Sequence, residues 1–166
     1  MESGIADIQI ITAKGDTDFA QGRKLFRQYI ESLDFDLGFQ DVDRELQEIH
    51  MEYNYPVGAL LLAWDGKQGK AVGGIGVRRF DAKSAELKRM YILPGFRGIG
   101  LGVELLRSAL EAAAGLGYSS VLLDSDSSMQ KAIRLYRAFG FVEIPPYRFN
   151  PLKGAVYMKK ELWAPA

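Results

Sequence analysis

The residues of this chain with the plainest chemical potential are Arg97-Gly98-Ile99-Gly100-Leu101-Gly102. They follow a strand-breaking Pro94-Gly95 and precede a run of helical periodicity. Glycine admits backbone conformations closed to other residues and lets a ligand approach the main chain. The first amides of a helix have no internal acceptors and point outward, and the aligned peptide dipoles place partial positive charge at that end. A strand–glycine–helix junction can therefore cradle an anion, a phosphate above all, with Arg97 adding a formal charge beside it; the glycines alone fit a strand–helix turn with no ligand equally well. Two phosphate loops are excluded by spacing. The string Gly-x-x-x-x-Gly-Lys-Ser/Thr is absent, and Gly-x-Gly-x-Gly is not the dinucleotide fingerprint Gly-x-Gly-x-x-Gly, which opens a βαβ unit.

Other chemistry is narrower. The chain has no cysteine, which removes disulfides, thiolate zinc sites and a cysteine nucleophile. His50 is the single histidine; it sits outside every motif and reads as a surface residue. Asp124-Ser-Asp126-Ser-Ser resembles a fragment of a metal loop, but the glycine and downstream glutamate of a calcium loop do not follow. It reads as a loop with a helix N-cap at Ser127 or Ser128, and no metal is expected. Lys plus Arg and Asp plus Glu balance at 21 each, so nothing favours nucleic acid or an anionic membrane as a partner.

The elements that must position the cradle follow from periodicity. Residues 7–12 alternate and read as a strand. Phe19, Phe26, Tyr29, Ile30 and Leu33 share a helical face, giving a helix from about 17 to 32, and Val42, Leu46 and Ile49 suggest another from about 41 to 51. Residues 57–64 form an apolar strand ending at Asp65-Gly66, a hairpin signal. Ala71 to Phe80 returns, Asp81-Ala82-Lys83 turns, and Ala85 to Leu93 completes an antiparallel meander. Leu101, Leu105, Leu106, Ala109, Leu110 and Ala113 then mark a helix ended by Gly115 and Gly117. A strand at Ser120 to Leu123, a helical stripe from Met129 to Phe139 stopped by Gly140, and strands at Phe141 to Ile144 and Ala155 to Leu162 finish the chain. A meander followed by strand–helix–strand units implies a mixed α/β sheet with helices on its faces. The 166 residues suit one domain, and no linker or repeat divides them. The N-terminal residues show no basic leader followed by an apolar stretch, and the longest apolar run, Ala59 to Trp64, is too short for a bilayer. The default expectation is a cytoplasmic protein.

Arg97-Gly-Ile-Gly100-Leu-Gly102 resembles the Arg/Gln-x-x-Gly-x-Gly/Ala signature of GNAT acetyltransferases. Glu86-Leu-Lys-Arg-Met-Tyr-Ile is similar to the strand entering that signature, and Leu135-Tyr136-Arg-Ala-Phe-Gly140-Phe141 to the family's second hallmark, Leu-Tyr-x-x-x-Gly-Phe. The strong match covers about residues 84–144. The resemblance implies a mostly antiparallel mixed sheet of about seven strands flanked by about four helices, an N-acetyltransferase activity, and acetyl-CoA as cosubstrate. It implies that Arg97, Gly98, Ile99, Gly100, Leu101 and Gly102 hold the pyrophosphate, while Met90, Tyr91 and Ile92 accompany the pantetheine arm as a paired strand would. On that strand neither alternating face is cleanly apolar; a β-bulge near Lys88 to Met90 would shift the alternation, and the family has such a bulge.

The resemblance also assigns catalytic roles. Acetyl transfer needs a neutral amine, a proton for the departing thiolate, and a backbone amide for the oxyanion. Tyr136 would protonate the CoA sulfur; its spacing alone favours a core tyrosine, and the Leu-Tyr-x-x-x-Gly-Phe context reverses that. Glu86 matches a glutamate that acts as general base through water, against the reading of an ordinary strand carboxylate. The amide near Met90 or Ile92 would serve the oxyanion. Many family members carry an asparagine where this chain has Met129, so its cofactor contact would pass to Ser128 or Lys131. Three functions fit: acetylation of a small amine or amino acid, acetylation of a protein amine, and non-catalytic acyl-CoA binding. Phe35, Phe39, Tyr147 and Phe149 with Arg148 suggest an acceptor with an acidic group. Sheet edges allow a homodimer.

Overall fold

The computed structural model describes residues 4–35, 37 and 41–162. Seven strands form one sheet in the order β1-β2-β3-β4-β5-β7-β6. The strands are β1 (Ile8–Thr12), β2 (Ala59–Asp65), β3 (Lys70–Arg79), β4 (Ser84–Ile92), β5 (Ser120–Asp126), β6 (Val142–Ile144) and β7 (Ala155–Glu161), and the helices are α1 (Gly15–Glu31), α2 (Val42–Gln47), α3 (Ile49–Glu52), α4 (Leu101–Gly115) and α5 (Gln130–Ala138). Every neighbouring pair is antiparallel except β4 and β5. The mixed, mostly antiparallel sheet is as expected. The helix between residues 41 and 51 is instead two short ones, because Glu48 leaves helical geometry at φ −100° and ψ 15°.

Each sheet face buries its own core. Leu105, Leu106, Ala109 and Ala113 of α4 and Ile133 and Tyr136 of α5 pack on Leu61, Val72, Ile75, Leu87 and Leu123. On the other face Phe19, Leu25 and Phe26 of α1, with Ile49 and Tyr53, cover Leu60 and Leu62. Burying side chains such as Leu105 and Leu62 completely stabilises the fold by roughly 1.5–3 kcal/mol each. Gly76 is required here: a Cβ on it would stand 2.4 Å from the Tyr53 ring. The β2–β3 connection is a four-residue loop, residues 66–69, rather than a tight two-residue turn. The Asp65 carboxylate accepts the Lys67 amide at 2.9 Å, and its carbonyl accepts Gly69 at 2.8 Å.

Two features of β4 shape the site. Opposite Ile75 of β3, β4 offers two residues, Arg89 and Met90, between the pairs Gly76–Lys88 and Gly74–Tyr91. This is the expected bulge, and Arg89 adopts φ 61° in it. β4 also pairs with β5 only from Ser84 to Glu86, against Ser120 to Leu122. Beyond that the two strands separate, and residues 87–92 face a gap.

Candidate active site

The gap is the mouth of a cleft. Its walls include Lys88 and Met90 of β4, Leu123 and Asp124 of β5, Tyr136 of α5 and Tyr29 of α1. Strand amides alternate in direction. The Leu93 amide donates to Val72 of β3 at 2.9 Å, so the amide of Ile92 faces the opposite edge, toward the gap. An extended ligand arm inserted there would find an unpaired strand edge.

Below the gap the chain passes through a single 3₁₀ turn, Pro94–Phe96, to Gly100, the N-cap of α4 at φ 91°; Gly98 has φ 80°. Both are left-handed conformations that side chains disfavour. They let the backbone turn its amides outward at the start of a 15-residue helix. Leu101 buries its side chain, so only its amide belongs to the cradle. The Arg97 guanidinium donates to the Ile92 carbonyl at 2.8 Å and lies 5.4 Å over the Tyr91 ring. It is thereby held at the lip of the cradle. Open space around Gly98, exposed Ile99 and a helix N-terminus are what a phosphate group requires.

Tyr136 is buried, with its ring edge-on to Phe141 at 5.7 Å. Burial pushes its phenol well above the usual range, with Tyr29 adding to the effect. It lines the cleft with Met90. Ser128 and Lys131 are exposed; the Ser128 amide and hydroxyl both donate to Asp126, at 2.9 and 2.5 Å. The N-cap of α5 is Met129, with no side-chain cap bond, so the expected Ser127 or Ser128 cap is replaced by an Asx turn at Asp126. Met129 lines the cleft.

Glu86 is placed differently from Tyr136. It is fully buried, and both its oxygens are taken: Arg78 donates Nε to Oε1 at 3.0 Å, Tyr147 donates to Oε2 at 2.8 Å, and Arg148 donates to Oε2 as well. Burial alone would raise its pKa, but Lys88, Arg78, Arg148 and the Tyr147 hydrogen bond outweigh it and hold the carboxyl below its usual range. Its side chain opens on a second cleft, with Phe80 and Arg148, rather than the one lined by Tyr136. Arg148, expected to meet an acidic acceptor group, is instead tied to Glu86, with its guanidinium 5.9 Å over Phe80 and 5.2 Å over Tyr147. Phe35 does line the main cleft, Phe149 is exposed, and Phe39 lies outside the described residues.

Two buried ion pairs escaped the sequence reading. Arg89, the bulge residue, donates to Glu45 of α2 at 2.9 and 3.2 Å, and Tyr53 donates to the same carboxylate at 2.9 Å. Lys88 lies 4.0 Å from Asp124 across the gap. The only hint was that β4 carries polar residues on both faces of an otherwise buried strand. Among the described residues no group of three or more His, Cys, Asp or Glu side chains could hold a metal, and no helix is long and apolar enough to cross a membrane.

Known proteins give this arrangement its context. A model of the acetyltransferase (GNAT) family matches residues 24–141. An uncharacterized N-acetyltransferase of Schizosaccharomyces pombe is 37% identical over 158 residues, covering 95% of this chain and 96% of that protein. Another from Escherichia coli is 32% identical over 66% of each. Among solved structures, an acetyltransferase of Streptococcus agalactiae superposes with a TM-score of 0.75 at 24% identity, over 94% of this chain and 99% of that one. One from Salmonella typhimurium, solved with its cofactor acetyl-CoA, gives 0.67 at 17% identity over 96% of each. The chain belongs to the GNAT acetyltransferase family and is an acyltransferase.

Proposed function

We propose that this chain, working as one domain, transfers the acetyl group of acetyl-CoA to the primary amine of a small molecule, by direct attack in a ternary complex. The observation that carries the reading is the gap between β4 and β5, which places an unpaired strand edge between the glycine cradle of α4 and the buried hydroxyl of Tyr136. The amides from Gly98 to Leu101, with Arg97 beside them, would hold the pyrophosphate. The pantetheine arm would lie along Met90, Tyr91 and Ile92. The acetyl oxygen would take the outward amide of Ile92 or that of Met90, so that negative charge developing there meets a fixed dipole.

Tyr136 supplies the proton. Its raised pKa keeps the phenol protonated at neutral pH, so it donates to the departing sulfur while the proton of the tetrahedral nitrogen replaces the one it gives. Glu86, with both oxygens engaged, positions Arg78, Tyr147 and Arg148 in this reading and leaves amine deprotonation to another group. The narrow cleft walled by Tyr29, Phe35 and Leu37 favours a small acceptor over a folded protein surface.

The test is amine-dependent thiol release, measured while both substrates are varied. Double-reciprocal lines that intersect are expected of a ternary complex. Parallel lines would mean an acetyl-enzyme and would defeat the direct-attack mechanism, and release only with peptides would defeat the substrate class.

A further inference from the structure

An extended arm lying along β4, as the acetyltransferase reading has it, has two edges. One meets the strand edge at Met90, Tyr91 and Ile92. The other faces across the gap, and its amide groups also need partners, because a buried amide without one costs free energy. The wall opposite β4 holds two hydroxyls bound to a poor acceptor. Tyr29 donates to the Met129 sulfur at 3.9 Å, and Ser125 donates to the same sulfur at 3.8 Å. All three residues line the cleft.

The placement of this pair is specific. α1, which carries Tyr29, covers the sheet face built on Leu60 and Leu62. α5, whose N-cap is Met129, packs on the opposite face with Leu61 and Leu123. The Tyr29–Met129 contact therefore joins the two sides of the sheet across the space between β4 and β5. Both hydroxyls are carried by fixed elements. The Tyr29 ring stands edge-on to Tyr91 of β4 at 5.7 Å, and Ser125 lies where β5 still pairs with β7, opposite Val156. Burial raises the Tyr29 phenol above its ordinary pKa against the pull of Arg89, with Asp124 adding to the rise, so it is a donor at neutral pH. A thioether is a weak acceptor. An amide carbonyl reaching these hydroxyls would form the stronger bonds of an oxygen acceptor, about 2.7–2.8 Å long.

Resting on the acetyltransferase reading above, we propose that Tyr29 and Ser125 hold the far edge of the pantetheine arm: on binding, their hydroxyls leave the Met129 sulfur and donate to an amide carbonyl of the arm. No covalent bond changes. Two weak hydroxyl–sulfur contacts are exchanged for hydroxyl–carbonyl bonds, and the sulfur is left in apolar surroundings that suit it. The strand edge of β4 and the hydroxyl pair then grip the arm from both sides. An acceptor amine bearing an amide would offer the same carbonyl, and the experiment separates the two sources.

That experiment is a calorimetric titration of wild type and variants with acetyl-CoA and with 3′-phospho-ADP, which keeps the pyrophosphate but lacks the arm. Tyr29→Phe and Ser125→Ala should each weaken acetyl-CoA binding about threefold to tenfold and leave 3′-phospho-ADP unaffected. Met129→Leu keeps the apolar bulk but removes the sulfur. It should bind acetyl-CoA at least as tightly as wild type, since the hydroxyls then give up no partner. The acceptor KM, read from amine-dependent thiol release, should stay within about twofold in both hydroxyl variants. Three results would overturn the assignment: acetyl-CoA affinity unchanged in both hydroxyl variants while the acceptor KM rises, 3′-phospho-ADP weakened as much as acetyl-CoA, or Met129→Leu weakened like the hydroxyl variants, which marks a merely structural bridge. Each of these leaves the acetyltransferase reading standing. Wild-type protein that binds neither ligand would overturn both.

Discussion

Glu45→Ala should destabilise the protein more than any surface substitution, and its cost can be worked from the contacts. Glu45 and Arg89 have side chains only 4% exposed. Removing the carboxylate leaves the Arg89 guanidinium buried without its counter-charge and the Tyr53 hydroxyl without its acceptor. Breaking a buried pair in this way costs about 3–5 kcal/mol. For a chain of this size each kcal/mol lowers the melting temperature by roughly 2–4 °C, so a fall of about 6–20 °C is expected in a thermal melt. Arg89 is also the bulge residue at φ 61°. Its anchor on α2 holds the geometry that opens the gap beside Met90, so acetyl-CoA affinity should fall along with stability. The double variant Glu45→Leu with Arg89→Met replaces both charges with apolar groups and should recover most of the loss. A single variant within about 1 kcal/mol of wild type, or a double variant no better than the single, would refute the view that this pair pins the bulge.

Other outcomes follow from the same structure. Tyr136→Phe should lower kcat by about 10²-fold or more, within the usual range for a lost proton donor, while the acetyl-CoA dissociation constant stays put in a binding titration. Gly100→Ala forces a side chain into left-handed geometry at a cost of about 1–2 kcal/mol, so a titration should show weaker acetyl-CoA binding and a melt a lower apo stability. Glu86→Gln should lower the melting temperature, because Arg78 and Arg148 lose their shared counter-charge, without removing the pH dependence of kcat. Burial would raise the pKa of Glu45, but the charge and hydrogen bonds of Arg89 together with the charges of Lys88 and Arg78 outweigh it and leave the pKa lowered. Its contribution to stability is therefore present above the ordinary carboxylate value and lost as pH falls through the lower folded one; melts at acidic pH should narrow the gap between wild type and Glu45→Ala.

Much of this was legible in the sequence because local patterns carry it. The glycines before α4, the strand entering them and Leu135-Tyr136 with Gly140-Phe141 combine residue type with spacing, and backbone geometry at Gly98 and Gly100 follows from residue type alone. The bulge was legible because Glu86 to Ile92 makes no apolar face in either register. What the sequence hid is pairing at a distance. Nothing in Glu45 marks it as the partner of Arg89, or in Asp124 as the neighbour of Lys88, since burial on adjoining strands and helices decides both. Arg148 looked available to a ligand until the fold set it against Glu86. The break at Glu48 was also hidden, because Leu46 and Ile49 keep helical spacing across it.

The most direct test of the central claim, that the α4 cradle and the β4–β5 gap form an acetyl-CoA site, is the melting temperature with acetyl-CoA at about 100 times its dissociation constant, beside ATP and NAD. Binding of that strength adds roughly 2.7 kcal/mol, a rise on the order of 5–11 °C. A rise with acetyl-CoA alone is the predicted result; no rise, or a larger one with ATP or NAD, would contradict it.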